Sequence, residues 1–98
     1  MKKDILDHVA ICTDNIKKSV EWYTENFKCD ILYQDSSWAM LEFDNVKLAL
    51  VLPEQHPFHF AILKDNVEDY GQPATHRDGS VSVYIKDRSG NNIEILRY

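Results

Sequence analysis

The chain has 98 residues, of which 44% are hydrophobic and 28% are charged, a composition typical of one small globular domain. Its formal net charge of −5 argues against a nucleic-acid partner, because binding to phosphates requires a basic surface. No apolar run approaches the ~18 residues that a membrane span needs, and no apolar stretch of a signal peptide follows the N-terminal lysines. Because two cysteines are too few for a disulfide scaffold, we expect reduced thiols and a cytoplasmic protein.

Two segments of the sequence, His8–Asn15 and His59–Asn66, are nearly identical. They share five of eight residues and begin 51 positions apart (59 − 8), which is about half the chain. A repeat of this length predicts two similar modules, neither of which can bury its apolar face alone. We therefore expect one domain over residues 1–98, made of a first module at 1–52, a linker at 53–57 and a second module at 58–98.

The first module is predicted to contain a strand, a helix and three further strands. Leu6–Thr13 is apolar and β-branched, as in a strand, and Asp14 and Asn15 behind it supply a helix N-cap. Apolar residues at helical spacing predict a helix over Ile16–Phe27. The strands that follow are expected at Cys29–Tyr33, Ser37–Phe43 and Val46–Leu52.

The register of the last two strands follows from a predicted hairpin turn at Asp44-Asn45, since Asx residues tolerate positive φ. This turn places Leu41 opposite Leu48 on an apolar face that suits the helix. The other face carries Trp38, Met40, Glu42, Lys47, Ala49 and Val51, with Glu42 opposite Lys47. Because both faces are substantial, we expect a curved sheet with the helix outside and a cup inside.

The second module repeats this pattern with a much shorter helix. Its first strand is expected at Phe58–Leu63, and Asn66–Gly71 has room for barely one helical turn. A short edge strand is predicted at Ala74–Asp78, followed by clearer strands at Val81–Lys86 and Asn92–Arg97. Such a short helix leaves one sheet face poorly covered, and we expect a second copy of the chain to cover it as a homodimer.

Three ionisable residues lie within predicted strands whose other residues favour burial. His8 and His59 are each two positions before an alanine on the same face, and Glu94 lies in the last strand. A buried carboxylate costs several kcal/mol unless it is paired or binds a metal. Two imidazoles and one carboxylate that converge make the arrangement that binds Fe(II) and similar ions. A strand histidine is more often a hydrogen-bonded structural residue, and on these residues alone both interpretations stay open.

The chain also carries, in this order, Asp7–Ile11, Ser19–Tyr23, His59–Ala61 and Asp87–Ile95. Together these segments resemble the vicinal oxygen chelate superfamily, and the last is similar to its closing DPxGNxIEL pattern. This group includes glyoxalase I, bleomycin-resistance proteins, extradiol dioxygenases, methylmalonyl-CoA epimerase and fosfomycin-resistance thiol transferases. The resemblance covers most of the chain except roughly residues 64–80.

The resemblance implies an α+β fold in which two βαβββ modules form a curved, cup-like eight-stranded mixed sheet around a divalent metal ion. The implied metal ligands are His8, His59 and Glu94, and the ion would be Fe, Mn, Zn or Ni. Members with four protein ligands carry another ligand where this chain has Ala49. Glyoxalase and epimerase activities therefore lose support, and the remaining three ligands are similar to those of the dioxygenases and the thiol transferases.

We accordingly expect a metal-dependent enzyme of the dioxygenase, transferase or lyase type that acts on a small oxygen-chelating substrate. Trp38, Met40 and Ala49 are candidates for contact with that substrate, although core packing explains them equally well. No catalytic residue is assigned, and roles for His76 and Tyr84 stay open. The alternatives are a metal-free, small-ligand-binding protein of the bleomycin-resistance type and a dimeric module kept for protein–protein contact.

Overall fold

The computed structural model describes residues 2–98, which form eight strands, one α-helix and one 3₁₀ helix. In chain order these are β1 Ile5–Cys12, α1 Ile16–Asn26, β2 Asp30–Gln34, β3 Trp38–Glu42, β4 Lys47–Val51, β5 His59–Leu63, the 3₁₀ helix Val67–Tyr70, β6 Ala74–Thr75, β7 Val81–Lys86 and β8 Asn92–Arg97. All eight strands belong to one mixed sheet. The predicted α+β fold with two βαβββ modules and a shortened second helix is confirmed.

The chain divides into two compact units, one of residues 8–58 and one of the N-terminal residues up to Asp7 with residues 59–98. In the unit of residues 8–58, the strand order is β2-β3-β4-β1. β1 runs parallel to β4, and β3 pairs with β4 as the predicted hairpin. Leu41 lies opposite Leu48 and Glu42 opposite Lys47, so the register predicted from the Asp44-Asn45 turn is confirmed.

The helix α1 covers one face of this hairpin. Asn15 caps its first turn, because the side-chain oxygen accepts a 3.0 Å hydrogen bond from the backbone N–H of Lys18. Ile16 and Val20 form its buried stripe, which spans one helical turn. The cluster beneath the helix also contains Ala39, Leu41 and Leu50, with Ile11, Tyr23, Cys29, Phe43, Leu48 and Leu52 packed around them.

In the other unit, the strand order is β5-β8-β7-β6. The 3₁₀ helix takes the place of α1 and contributes one fully buried side chain, Val67, which packs with Val83 and Ile95. Gly71 ends this helix at φ +150°, and a Cβ at that position would lie 3.1 Å from a methyl group of Val83. A side chain is therefore disfavoured where the shortened helix meets the sheet.

The predicted edge strand Ala74–Asp78 is too long, since β6 ends at Thr75. A turn replaces its second half: the N–H of Gly79 donates to the carbonyl of His76 at 3.0 Å, and Gly79 has φ +85°. Asp78 stabilises this turn by accepting a 2.9 Å hydrogen bond from the backbone N–H of Ser80. None of the helices in the described part of the chain is long and apolar enough to cross a membrane.

Candidate functional site

Two of the predicted metal ligands, His59 and Glu94, lie together in the unit that contains residues 59–98. β5 and β8 run parallel, with Ala61 opposite Glu94 and His59 opposite Asn92. Both side chains are buried, at 7% and 6% exposure. His59 Nε2 lies 3.6 Å from Glu94 Oε1.

This separation is longer than a direct hydrogen bond and is compatible with two ligands of one ion. An N–H···O hydrogen bond requires about 2.7–3.2 Å between the heavy atoms, which is shorter than the observed distance. Nitrogen and oxygen ligands lie about 2.0–2.1 Å from Zn²⁺, and tetrahedral geometry then separates two of them by about 3.4 Å. The donor set and its spacing therefore suit a divalent cation.

The second oxygen of Glu94 faces another histidine. His76 Nε2 lies 3.8 Å from Glu94 Oε2 and 2.7 Å from the hydroxyl oxygen of Ser82. Ser82 is buried, whereas the His76 side chain is 39% exposed. The hydrogen bond to a buried serine holds the exposed imidazole beside the carboxylate, although His76 follows the last residue of β6.

Tyr84 completes the surroundings of Glu94. It pairs with Glu94 across β7 and β8, and its hydroxyl donates a hydrogen bond to the carboxylate. The ring packs edge-on against His59, with 5.4 Å between ring centroids. Partial burial raises the pKa of the Tyr84 hydroxyl, and the neighbouring Glu94 charge raises this pKa further. Tyr84 therefore stays a neutral hydrogen-bond donor at physiological pH.

The third predicted ligand, His8, is a residue of β1 in the unit of residues 8–58. It is buried at 7% exposure and lies beside Lys47 in the parallel pairing with β4. Ala10, two residues further along the same face, is also buried and pairs with Ala49. Small side chains thus follow His8 along this face of the strand, as the sequence predicts.

The three candidates for substrate contact lie together on the sheet face opposite α1. Trp38 and Met40 are partly buried, and Ala49 is buried. They share one cluster with Ala10, Cys12 and Val51. Ala49 offers no ligand atom, which agrees with a site that takes three protein ligands.

The sequence left open the roles of two residues around Glu94. His76 lies in the segment whose path the sequence does not define, and the position of Tyr84 depends on a β7–β8 register that the turn residues do not fix. The structure shows a five-residue connection, since Lys86 pairs with Asn92. Asp87 closes it: its backbone N–H donates to the carbonyl of Asn91, and its carboxylate accepts from the backbone N–H and from the side-chain amide of Asn91. This reciprocal pair was the available signal, and it places Tyr84 directly opposite Glu94.

The family model described as Glyoxalase/Bleomycin resistance protein/Dioxygenase superfamily matches residues 5–95. No curated protein matches the chain at a significant level.

Among solved structures, a hypothetical protein from Bacillus halodurans C-125 is similar with a TM-score of 0.76 at 19% identity, over 99% of this chain and 96% of that one. A glyoxalase/bleomycin resistance protein/dioxygenase superfamily member from Vibrio splendidus 12B01 has a TM-score of 0.74 at 9% identity, over 98% and 100% of the chains. A lactoylglutathione lyase from Agrobacterium tumefaciens has a TM-score of 0.50 at 18% identity, over 97% and 94%. At these identities the similarity concerns the fold alone.

Proposed function

Because the chain belongs to the glyoxalase/bleomycin resistance protein/dioxygenase superfamily, we propose that it binds one divalent metal ion through His8, His59 and Glu94. The ion would hold a small substrate by its oxygen atoms, and the reaction would be of the dioxygenase or transferase type. The single observation that carries the proposal is the separation of 3.6 Å between His59 Nε2 and Glu94 Oε1, both buried. Burial of an imidazole and a carboxylate is costly unless the two groups are compensated, and a shared cation would compensate both.

His8 is proposed as the third ligand on two grounds. It is a buried histidine at the position equivalent to His59 in the sequence repeat, so the two modules would contribute matching imidazoles. His8, His59 and Glu94 also form a group that could offer one ligand atom each to an ion. Two histidines and one carboxylate are a ligand set that leaves coordination positions open for a substrate.

The remaining chemistry of the proposed site comes from the chain itself. A bound divalent cation would supply Lewis acidity and a template for the substrate oxygens. The neutral Tyr84 hydroxyl would keep the Glu94 carboxylate in one orientation, and the His76 imidazole, held by Ser82, would accept or release a proton at a substrate oxygen. Because Ala49 cannot act as a ligand or as a base, an isomerase mechanism that needs a carboxylate there is disfavoured.

Isothermal titration of chelator-treated protein with Mn²⁺ and Zn²⁺ tests the proposal. We expect one binding site per chain, and at least about 100-fold weaker binding in His59→Ala and Glu94→Gln, since each removes a ligand. His56→Ala is the control, because this histidine lies outside the proposed ligand set, and it should bind as the wild type does. Absence of binding in the wild type, or wild-type affinity in both ligand variants, would overturn the proposal.

The second candidate function is metal-free binding of a small ligand. One observation favours it: among the described residues, every buried side-chain nitrogen or oxygen already has a hydrogen-bond partner. An apolar face with Trp38, Met40 and Ala49 could then bind a ligand without any ion. The same titration separates the two functions, since the second predicts no metal binding.

We also propose that the chain forms a homodimer. This proposal rests on the large apolar side chains that the chain exposes to solvent. Those with exposed fractions of 49–63% are Ile5, Leu6, Trp22, Phe27, Ile31, Leu32, Phe58 and Tyr98. So much exposed apolar surface is typical of proteins that associate. Light scattering coupled to gel filtration should give twice the chain mass of 11.4 kDa, whereas a monomer at all concentrations would contradict the proposal. A cytoplasmic location stays a prediction.

A further inference from the structure

A β-bulge in the edge strand β2 turns Tyr33 toward the sheet face opposite α1. Before the bulge, Ile31 pairs with Leu41, which packs beneath the helix. Without the bulge, the regular register would pair Tyr33 with Ala39, which belongs to the same buried cluster as Leu41. The register shift instead pairs Tyr33 with Met40, which belongs to the cluster on the opposite face. Bulges re-aim side chains in this way and are frequent beside functional sites.

Two contacts hold Tyr33 in this position. Its ring stacks on Trp38, with 4.3 Å between ring centroids and 22° between the ring planes. Its hydroxyl donates to the carboxylate of Asp35, which also accepts from the backbone N–H groups of Ser37 and Trp38. Asp35 thus ties the tyrosine to the turn that leads into β3. The result is a fixed ring pair, of which Tyr33 is 41% exposed.

A cluster of uncharged side chains adjoins the ring pair on the same face. Ala10, Ala49 and Val51 are its buried members, and Cys12, Trp38 and Met40 are its partly exposed members. Ala49 pairs with both Ala10 and Met40, so two small side chains and a flexible one lie in a row that ends at Tyr33. His8 precedes Ala10 by two residues on β1 and therefore lies on this face.

We propose that the Tyr33–Trp38 pair makes the site selective for a planar aromatic ligand of one or two rings. This inference rests on the proposed function, because it places the apolar body of the metal-bound ligand against the ring pair and the partly exposed Met40 and Cys12. Stacked aromatic rings attract one another beyond the area that they bury. A saturated ligand rich in hydroxyl groups would lose hydration beside these uncharged side chains without gaining hydrogen bonds from them.

Two probes with the same carbon skeleton and one hydroxyl group test this selectivity: 2-naphthol, which is planar, and decahydro-2-naphthol, which is not. Calorimetric titration of the wild type should show 2-naphthol binding about fivefold more tightly, in line with the stacking contribution of an aromatic pair. In Tyr33→Leu this ratio should fall below about twofold. Tyr33→Phe keeps the ring but loses the hydrogen bond to Asp35, so an intermediate ratio is expected.

Tyr70→Leu is the matched control, because Tyr70 is an exposed tyrosine in the other unit, and it should keep the wild-type ratio. Equal binding of the two probes to the wild type, no binding of either, or an unchanged ratio in Tyr33→Leu and Tyr33→Phe would overturn the inference. Titration of the same proteins with Mn²⁺ separates the two proposals. A wild type that does not bind Mn²⁺ but prefers 2-naphthol would overturn only the proposed function. A wild type that binds Mn²⁺ but does not prefer 2-naphthol would overturn only this inference.

Discussion

At the scale of single residues, Glu94 is the most constrained side chain of the candidate site. Histidines approach both of its oxygens, at 3.6 and 3.8 Å, and Tyr84 donates a hydrogen bond to it. A buried carboxylate without compensation costs several kcal/mol. The three polar groups directed at this carboxylate compensate its burial, and in the proposed function the same carboxylate also binds the ion together with His59.

The hydroxyl of Tyr84 should strengthen metal binding through its hydrogen bond to Glu94. Partners that orient a metal ligand typically contribute 10–100-fold to affinity, so we expect Tyr84→Phe to bind Mn²⁺ roughly tenfold more weakly than the wild type. Titration calorimetry measures this difference. The control is Tyr98→Phe, which removes a hydroxyl that donates to Asp7 at 2.6 Å instead of to Glu94. Equal Mn²⁺ affinities in the two variants would argue against an orienting role for Tyr84.

The residues around Glu94 differ in how far the sequence predicted them. Burial of His59 and Glu94 followed from strand alternation, because each lies among residues that favour an interior. The contact of Tyr84 with Glu94 depends on the length of the β7–β8 connection, which the turn residues left undecided. A hydrogen bond to Ser82 holds His76 beside Glu94. Because this bond joins a turn to a strand, no local sequence pattern predicts it.

At the scale of elements, the helix and the hairpin were predictable because their signals are local. The Asp44-Asn45 turn fixed the β3–β4 register, and Asn15 marked the start of α1. The bulge in β2 was not predictable, because it depends on the pairing with β3 and involves no glycine or proline. Its sequence, Asp30–Gln34, is that of an ordinary strand.

Asn15 should contribute to stability as the N-cap of α1. Replacing an N-cap asparagine by alanine leaves a backbone N–H of the first turn without its partner, and we expect Asn15→Ala to lower the free energy of unfolding by about 1 kcal/mol. Urea denaturation followed by circular dichroism measures the change. Lys17→Ala, an exposed change in the same helix, should stay within about 0.5 kcal/mol of the wild type. A loss in Lys17→Ala as large as that in Asn15→Ala would contradict the capping role.

Asp35 should make the β2–β3 turn sensitive to acid. Hydrogen bonds from the Tyr33 and Ser37 hydroxyls hold the pKa of its carboxyl well below the usual value of about 3.9. As the pH falls through about 4, the unfolded chain takes up a proton before the folded chain does. Stability from Asp35 is therefore present at pH 7 and is lost as the pH falls below this range.

The measurement is the free energy of unfolding at pH 7 and at pH 3, from urea denaturation. Asp35→Ala should lose less stability between these two pH values than the wild type does, because it lacks the carboxyl whose pKa is lowered. Asp44→Ala, in the neighbouring hairpin turn, serves as the control variant and should retain more of the wild-type pH dependence. An Asp35→Ala protein with the full pH dependence would show that this carboxylate does not link folding to protons.

At the scale of the whole molecule, the half-chain repeat predicted the architecture. The equivalent segments that begin at His8 and His59 predicted two modules with the same order of strands and helix, and the eight strands follow that order. The helix of the second module is a single 3₁₀ turn, as the nearby Gly71 and Pro73 predicted. What the sequence left undetermined was β6, whose second half becomes a turn, because a short edge strand has few pairing partners to define it.

The central claim is that matching histidines from the two modules bind one ion, and the number of coordinating imidazoles tests it most directly. Electron paramagnetic resonance of protein loaded with one equivalent of Cu²⁺ resolves this number through coupling to histidine nitrogens. Two coordinating imidazoles are expected in the wild type and in the control His76→Ala, and one in His8→Ala and in His59→Ala. A spectrum without histidine coupling, or one that neither His8→Ala nor His59→Ala alters, would contradict the claim.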